Sequence, residues 1–158
     1  MNVGDSRAEA LFLAEQRSDD DFRHDAPTPT GRPSSKGRIV VADDDPTIRV
    51  YLRGLLENHG YSVLEASDGN EALRHVRKER VDLVITDILM PEREGLETIQ
   101  ILKRQHRSVG IVAISGADNP AYLNMARSFG ASATLRKPLQ AQALLAAVAK
   151  VLQEVRTK

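Results

Sequence analysis

Cysteine is absent from the 158 residues, which excludes disulfide frameworks, thiolate zinc sites, iron–sulfur clusters and thiol nucleophiles and permits a reducing compartment. Tryptophan is absent as well. Three Phe and three Tyr leave little material for stacking bases or sugars on exposed aromatic platforms. Charge of one sign is lacking: Lys plus Arg number 22 and Asp plus Glu number 22, so no overall basic field exists to hold nucleic acid or an anionic membrane surface. Apolar runs such as Val81 to Ile85, broken by Asp82, fall far short of the roughly 20 residues a membrane-spanning helix needs. Asp5 and Glu9 surround the short stretch Ala10 to Ala14 without a basic n-region, which argues against a secretory signal and for a soluble, cytoplasmic protein.

The length predicts one domain with a tail. Residues Met1 to Gly37 hold the acidic run Asp19-Asp20-Asp21 and the segment Ala26-Pro-Thr-Pro-Thr-Gly-Arg-Pro-Ser-Ser. Such a stretch buries too little apolar surface to offset the entropy of ordering it and reads as a flexible tail. Ser6 with Glu9 makes a capping box before Ala10 to Ala14, the mark of a local helical turn there. Residues 38–158 form the predicted domain.

From Arg38 onward, apolar runs of strand length alternate with helical patterns. Ile39 to Ala42 precedes Pro46 to Asn58, Tyr61 to Ala66 precedes Gly69 to Lys78, and Val81 to Thr86 precedes Gly95 to Gln105. Val109 to Ser115, Pro120 to Phe129, Ala131 to Leu135 and Leu139 to Val155 continue the pattern. Five β/α units with nearly continuous apolar strands predict an α/β fold, a doubly wound parallel sheet covered by helices on both faces. The helices are one-sided: Ile48, Leu52, Leu55 and Leu56 recur at helical spacing, with Arg49, Arg53 and Glu57 directed elsewhere. Gly60, Gly110 and Gly130 follow helical patterns, where left-handed caps favour Gly.

Right-handed crossovers gather all the strand C-termini along one edge, where ligands bind in this class. Asp43, Asp44 and Asp45 follow the first strand, Asp87 the third, Ser115 the fourth, and Arg136 with Lys137 the fifth. Two carboxylates about 4 Å apart repel by roughly 4 kcal/mol at an effective dielectric near 20. The cluster of Asp43, Asp44 and Asp87 is therefore expected to raise a pKa or to bind a cation. All-oxygen ligation points to a hard ion, Mg²⁺ or Mn²⁺. A lysine to neutralise phosphoryl oxygens, a hydroxyl to bond one of them and an aspartate nucleophile complete a phosphoryl-transfer set. Asp45, before Pro46, is expected to cap the helix. None of His24, His59, His75 and His106 is assigned a role.

The segments Ile39-Val-Val-Ala-Asp-Asp-Asp-Pro, Val84-Ile-Thr-Asp-Ile-Leu-Met-Pro-Glu-Arg-Glu-Gly, Ala113-Ile-Ser-Gly-Ala and Leu135-Arg-Lys-Pro-Leu resemble the receiver domain of bacterial two-component response regulators. The likeness covers about residues 38 to 156. It implies a flavodoxin-like sheet of order 2-1-3-4-5 with five helices, as in a chemotaxis regulator of that family. It also implies that Asp87 accepts the phosphoryl group, that Asp44 ligates Mg²⁺ directly and Asp43 mostly through water, and that the Leu89 carbonyl completes the metal ligands. Ser115 would bond a phosphoryl oxygen, Lys137 would pair with the phosphoryl group through a cis bond to Pro138, and Gly95 would close the turn after Asp87. Two positions depart from the family pattern: Thr134 stands where an aromatic switch residue is common, and Ser115 where Thr is more frequent.

The resemblance implies a stand-alone receiver that takes a phosphoryl group from a sensor histidine kinase or a histidine phosphotransfer protein. It would signal to an unidentified downstream protein through the face of the fourth helix, fifth strand and fifth helix, including Tyr122, Thr134 and Arg136. Neither direct nucleic-acid binding nor membrane insertion is expected. One alternative is a phosphorylation-independent adaptor with the same fold. Another is a haloacid-dehalogenase-like phosphatase, because Asp43-Asp-Asp45-Pro-Thr47 fits the pattern Asp-x-Asp-x-Thr, with Asp43 as nucleophile and Asp45 as acid-base.

Overall fold

Strands made of unbroken apolar residues can be buried on both faces, and the chain uses them so. In the computed structural model, which describes residues 35–90, 94–116 and 120–158, β1 (Arg38–Ala42), β2 (Ser62–Ala66), β3 (Leu83–Asp87), β4 (Gly110–Ser115) and β5 (Ala133–Arg136) form one sheet. All its neighbours run parallel, in the order β2-β1-β3-β4-β5. The helices are α1 (Pro46–Asn58), α2 (Gly69–Lys78), α3 (Gly95–Gln105), α4 (Ala121–Phe129) and α5 (Ala141–Arg156). The predicted fold class and strand order are those observed. The reading of the N-terminal segment, with its Ser6 and Glu9 capping box, falls on residues 1–34, outside the described residues.

The sheet has two apolar faces because successive strand residues point to opposite sides. Ile39, Val41, Leu83, Ile85, Val112 and Ile114 pack with Leu52 and Leu56 of α1 and Leu144, Val148 and Val151 of α5. Val40, Ala42, Val84, Ile111 and Ala113 pack with Leu73 and Val76 of α2, Ile99 and Leu102 of α3, and Ala126 of α4. The fold is thus a three-layer sandwich with two separate cores. Among the described residues no helix is long and apolar enough to cross a membrane.

Several element ends differ from the sequence expectation for identifiable reasons. β3 begins two residues late, at Leu83; Asp82 ahead of it turns its side chain onto the backbone, accepting the Arg38 N–H at 2.8 Å. Gly60 and Gly130 do occupy the left-handed region, at φ of 92° and 115°. Gly110 does not cap a helix. It opens β4, and a Cβ there would lie 2.5 Å from Val151 Cγ1 of α5, so its missing side chain makes room for a packed helix.

Candidate functional site

Each acid at the carboxyl edge is positioned by the turn that follows its strand. Asp43, 2% exposed, leaves β1 with its own N–H donating to the Ala66 carbonyl at 3.1 Å. Its Oδ1 accepts the Asp45 N–H at 2.9 Å. Asp45 in turn caps α1, its Oδ1 accepting the Thr47 N–H at 2.9 Å ahead of Pro46 at the helix start. Asp87 ends β3 and is 7% exposed, with its Oδ1 accepting the Leu89 N–H at 3.1 Å. Asp44 is exposed at the mouth of the site.

The turn after Asp87 is possible only with glycine at position 95. The Gly95 N–H donates to the Ile88 carbonyl at 2.8 Å, and a Cβ on Gly95 would lie 2.0 Å from the Asp87 carbonyl oxygen and 2.7 Å from Ile88 Cα. These are backbone atoms with no freedom to move aside. Ser115, 1% exposed, ends β4 beside Asp87 and Ile114, which are in register. Its carbonyl accepts the Lys137 N–H at 2.9 Å, which anchors the start of the loop after β5. The Lys137–Pro138 peptide bond is cis.

Lys137 reaches across the edge from β5. Its Nζ lies 2.7 Å from Asp87 Oδ2 and 3.0 Å from Asp43 Oδ2. Burial works to lower the lysine pKa, but the hydrogen bonds and charges of Asp87 and Asp43 outweigh it and hold the ammonium above its ordinary value. The repulsion expected between the carboxylates is thus met by an ammonium ion placed between them. Lys137 is charged at neutral pH, as a group that neutralises phosphoryl oxygens must be.

Asp43, Asp44 and Asp87 can each present a carboxylate oxygen within 4.8 Å of the others. Ligands opposite one another around octahedral Mg²⁺ stand about 4.2 Å apart, given metal–oxygen distances near 2.1 Å. An all-oxygen set of this span, without His or Cys, fits a small hard cation. Leu89, whose carbonyl the resemblance assigns to the metal, follows Asp87 by two residues, and its side chain is 43% exposed.

Arg49 and Glu65 escaped the sequence reading. Arg49 was placed on the outward face of α1, yet its Nη1 donates to the Asp43 carbonyl at 2.6 Å and its Nε lies 3.5 Å from Glu65 Oε1. Arg53 pairs with the same Glu65 at 3.0 Å. Glu65 of β2 therefore fastens α1 through two arginines. One signal was available, since a cation in a first helical turn opposes the helix dipole and calls for a partner. Two of the histidines take structural places: His59 Nδ1 and His75 Nε2 lie 2.8 and 2.9 Å from the carbonyls of Leu55 and Glu65, while His24 lies outside the described residues.

An open α/β sheet with buried carboxylates, an inserted lysine and a closed β3–α3 turn at its carboxyl edge defines a narrow class of domain. The sequence profile of the response regulator receiver domain matches residues 39–149, and the chain belongs to that family. It is 35% identical over 115 residues to the CAI-1 autoinducer sensor kinase/phosphatase CqsS of Vibrio cholerae, covering 71% of this chain and 17% of that protein. It is 36% identical to the response regulator MprA of Mycobacterium leprae, covering 77% of this chain and 52% of that one. The chain thus spans about half or less of these curated relatives. Among solved structures, the CheY-like receiver domain from Methanospirillum hungatei superposes with a TM-score of 0.73 at 26% identity, over 77% of this chain and 97% of that one. The phosphatase alternative is not favoured: Asp45, its acid-base, is spent on capping α1, and the lysine joins Asp43 to Asp87.

Proposed function

We propose that Asp87 is the phosphoryl acceptor of this domain and that Asp43, Asp44 and the Leu89 carbonyl hold the Mg²⁺ on which transfer depends, with Mn²⁺ as a substitute. The observation that carries the reading is Lys137 Nζ at 2.7 Å from Asp87, beside a carboxylate cluster of cation-binding span. The donor is a phosphohistidine of a sensor histidine kinase or a histidine phosphotransfer protein in the cytoplasm. An Asp87 carboxylate oxygen attacks phosphorus, the P–N bond breaks, and the imidazole nitrogen leaves and takes up a proton. Lys137 moves its hydrogen bond from the carboxylate to a phosphoryl oxygen, and the Ser115 hydroxyl bonds another. The bound cation supplies charge neutralisation for the phosphoryl oxygens. Water then attacks phosphorus, releases inorganic phosphate and restores the carboxylate.

Output follows if phosphorylation favours one surface conformation, and shifting a 1:99 population to 99:1 takes about 5.5 kcal/mol of differential stabilisation. The surface of α4, β5 and α5 around Tyr122, Thr134 and Arg136 is the proposed docking face for the downstream protein. Incubation with acetyl phosphate and Mg²⁺, followed by intact mass, tests the acceptor. A labile gain of one phosphoryl group, absent in Asp87→Ala and suppressed by EDTA, is expected. An unchanged mass would overturn the reading in favour of a constitutive adaptor.

A further inference from the structure

The opposite edge of the sheet, where α3, α4 and α5 end, carries a groove of about 600 Å³ lined by Gln100, Lys103, Arg104, Arg107, Phe129 and Lys158. Its charged lining is entirely cationic in a chain whose acids and bases balance at 22 each. Cations at a helix C-terminus ordinarily complement the dipole by bonding the last carbonyls. These do not: among the described residues, Lys103, Arg104, Arg107 and Lys158 form no ion pair and no side-chain hydrogen bond. Lys103 is nevertheless held in place. Its stem lies across the left-handed Gly130 that ends α4, so closely that a Cβ there would meet Lys103 Cγ at 2.7 Å and Cδ at 2.8 Å. Phe129, the preceding residue, is half-buried against the core beneath α3 and α4 and gives the groove an apolar wall.

We infer that this groove binds a compact organic polyphosphate of the nucleoside di- or triphosphate class. Phosphate oxygens meet the guanidinium forks of Arg104 and Arg107, which suit them bidentately, and the Lys103 ammonium. The base or ribose lies on Phe129, within reach of the Gln100 amide, which both donates and accepts. The volume falls inside the roughly 300–1,000 Å³ of small-molecule sites. A long nucleic acid fits less well, because the chain carries no net positive charge to hold a polyanion. Lys103 and Arg104 of α3, with Arg107 just beyond its end, carry the argument without Lys158, and nothing in it depends on the phosphoacceptor reading.

Calorimetry on the full chain in EDTA and about 0.15 M salt, with ATP, ADP, AMP and inorganic tripolyphosphate, tests the site while the acid pocket holds no metal. ATP is expected to bind best, with affinity falling about tenfold for each phosphate removed. The exposed double variant Arg104→Ala/Arg107→Ala should weaken ATP at least tenfold without altering the fold seen by circular dichroism. Amide shifts on ATP addition should centre on residues 100–107 and 129–130. Phe129→Leu should weaken ATP but not tripolyphosphate. The inference is overturned by no binding at millimolar ATP, by an affinity the double variant leaves unchanged, by shifts centred on Asp43 and Asp87, or by tripolyphosphate binding as tightly as ATP.

Discussion

β3 and β5 lie two places apart in one sheet and are built on opposite terms. All five residues of β3 are buried, with strands on both sides, and the strand delivers Asp87 with each carboxylate oxygen already bonded, one by the Leu89 N–H and one by Lys137. β5 is the edge strand, with Ala133, Thr134 and Leu135 partly buried and Arg136 exposed. Its Thr134 hydroxyl accepts from the exposed Arg127 Nε of α4 at 3.0 Å. The proposed chemistry thus sits on a strand buried throughout, while β5, none of whose residues is fully buried, lies at the sheet edge, where local opening is easier. The function proposed for the domain would use this division, with Asp87 held in place while a surface changes around it.

Gly95→Ala should attack the fixed side hardest. The added methyl meets the Asp87 carbonyl at 2.0 Å, and with backbone on the far side the turn must open. A loss of about 3 kcal/mol or more is expected, read as a lowered urea midpoint with acceptance of phosphate from acetyl phosphate lost in parallel. If the variant keeps both, the turn after β3 is softer than its contacts require and the contrast with β5 fails.

Lys137→Met comes next. It leaves Asp43 and Asp87 facing one another without the ammonium, and because Lys137 is 22% exposed the penalty should be about 2 kcal/mol, below that for a fully buried broken pair. Mg²⁺ should restore most of it by supplying the missing positive charge, so the variant's melting midpoint should rise with Mg²⁺ more steeply than the parent's. In the parent, the raised lysine pKa makes its contribution complete at neutral pH. That contribution is lost only as pH climbs through the folded value, above the ordinary ~10.4. A pH titration of the parent midpoint that falls between pH 7 and 9 on this account would contradict the assignment.

A smaller effect belongs to Glu71, whose Oε2 accepts the Ser67 N–H at 2.7 Å and the Ser67 hydroxyl at 2.9 Å, while Asp68 caps α2 by accepting the Glu71 N–H. The Ser67 backbone bond chiefly lowers the Glu71 pKa, against desolvation. Its contribution is therefore present above the ordinary ~4.3 and fades as pH falls through the folded value. Glu71→Gln should cost no more than about 1 kcal/mol at pH 7, because both bonds are exposed, and progressively less as the pH is lowered below 4. A penalty that persists unchanged in acid would mean the carboxylate charge is not what Ser67 recognises.

The fold was legible because it rests on signals that survive in a single sequence: five apolar strand runs, one-sided helices, and Pro46 and Asp45 at a helix start. The acids, Ser115 and Lys137 were placed at one edge by topology alone, since parallel strands must present their C-terminal ends together. What escaped notice depends on three-dimensional reach. Arg49 looked like a solvent-facing helix residue until its guanidinium was seen to bend back 2.6 Å from the Asp43 carbonyl. Gly110 looked like a cap because periodicity does not reveal that α5 crosses above β4 with Val151 against it. Lys103 on Gly130 was invisible for the same reason: two helix ends meet there that lie more than twenty residues apart in the chain.

The finest test of the contrast is Thr134→Val, which keeps the shape of the side chain and removes its hydroxyl. The bond it deletes is exposed at the Arg127 end, so stability should change by no more than about 0.5 kcal/mol, and phosphate uptake at Asp87 should stay within about twofold of the parent, because no atom of Thr134 belongs to the acid cluster. The effect should appear instead as faster amide exchange across α4 and β5, where the Arg127 link joins a helix to an edge strand. If uptake falls as far as it does in Lys137→Met, the edge strand takes part in the chemistry and the separation of acceptor from responding surface is lost. If exchange at α4 is unmoved with and without acetyl phosphate, the Thr134 hydroxyl is a local contact, and the work of the missing aromatic ring has to be done by the side chains of Tyr122 and Arg136 on the same face.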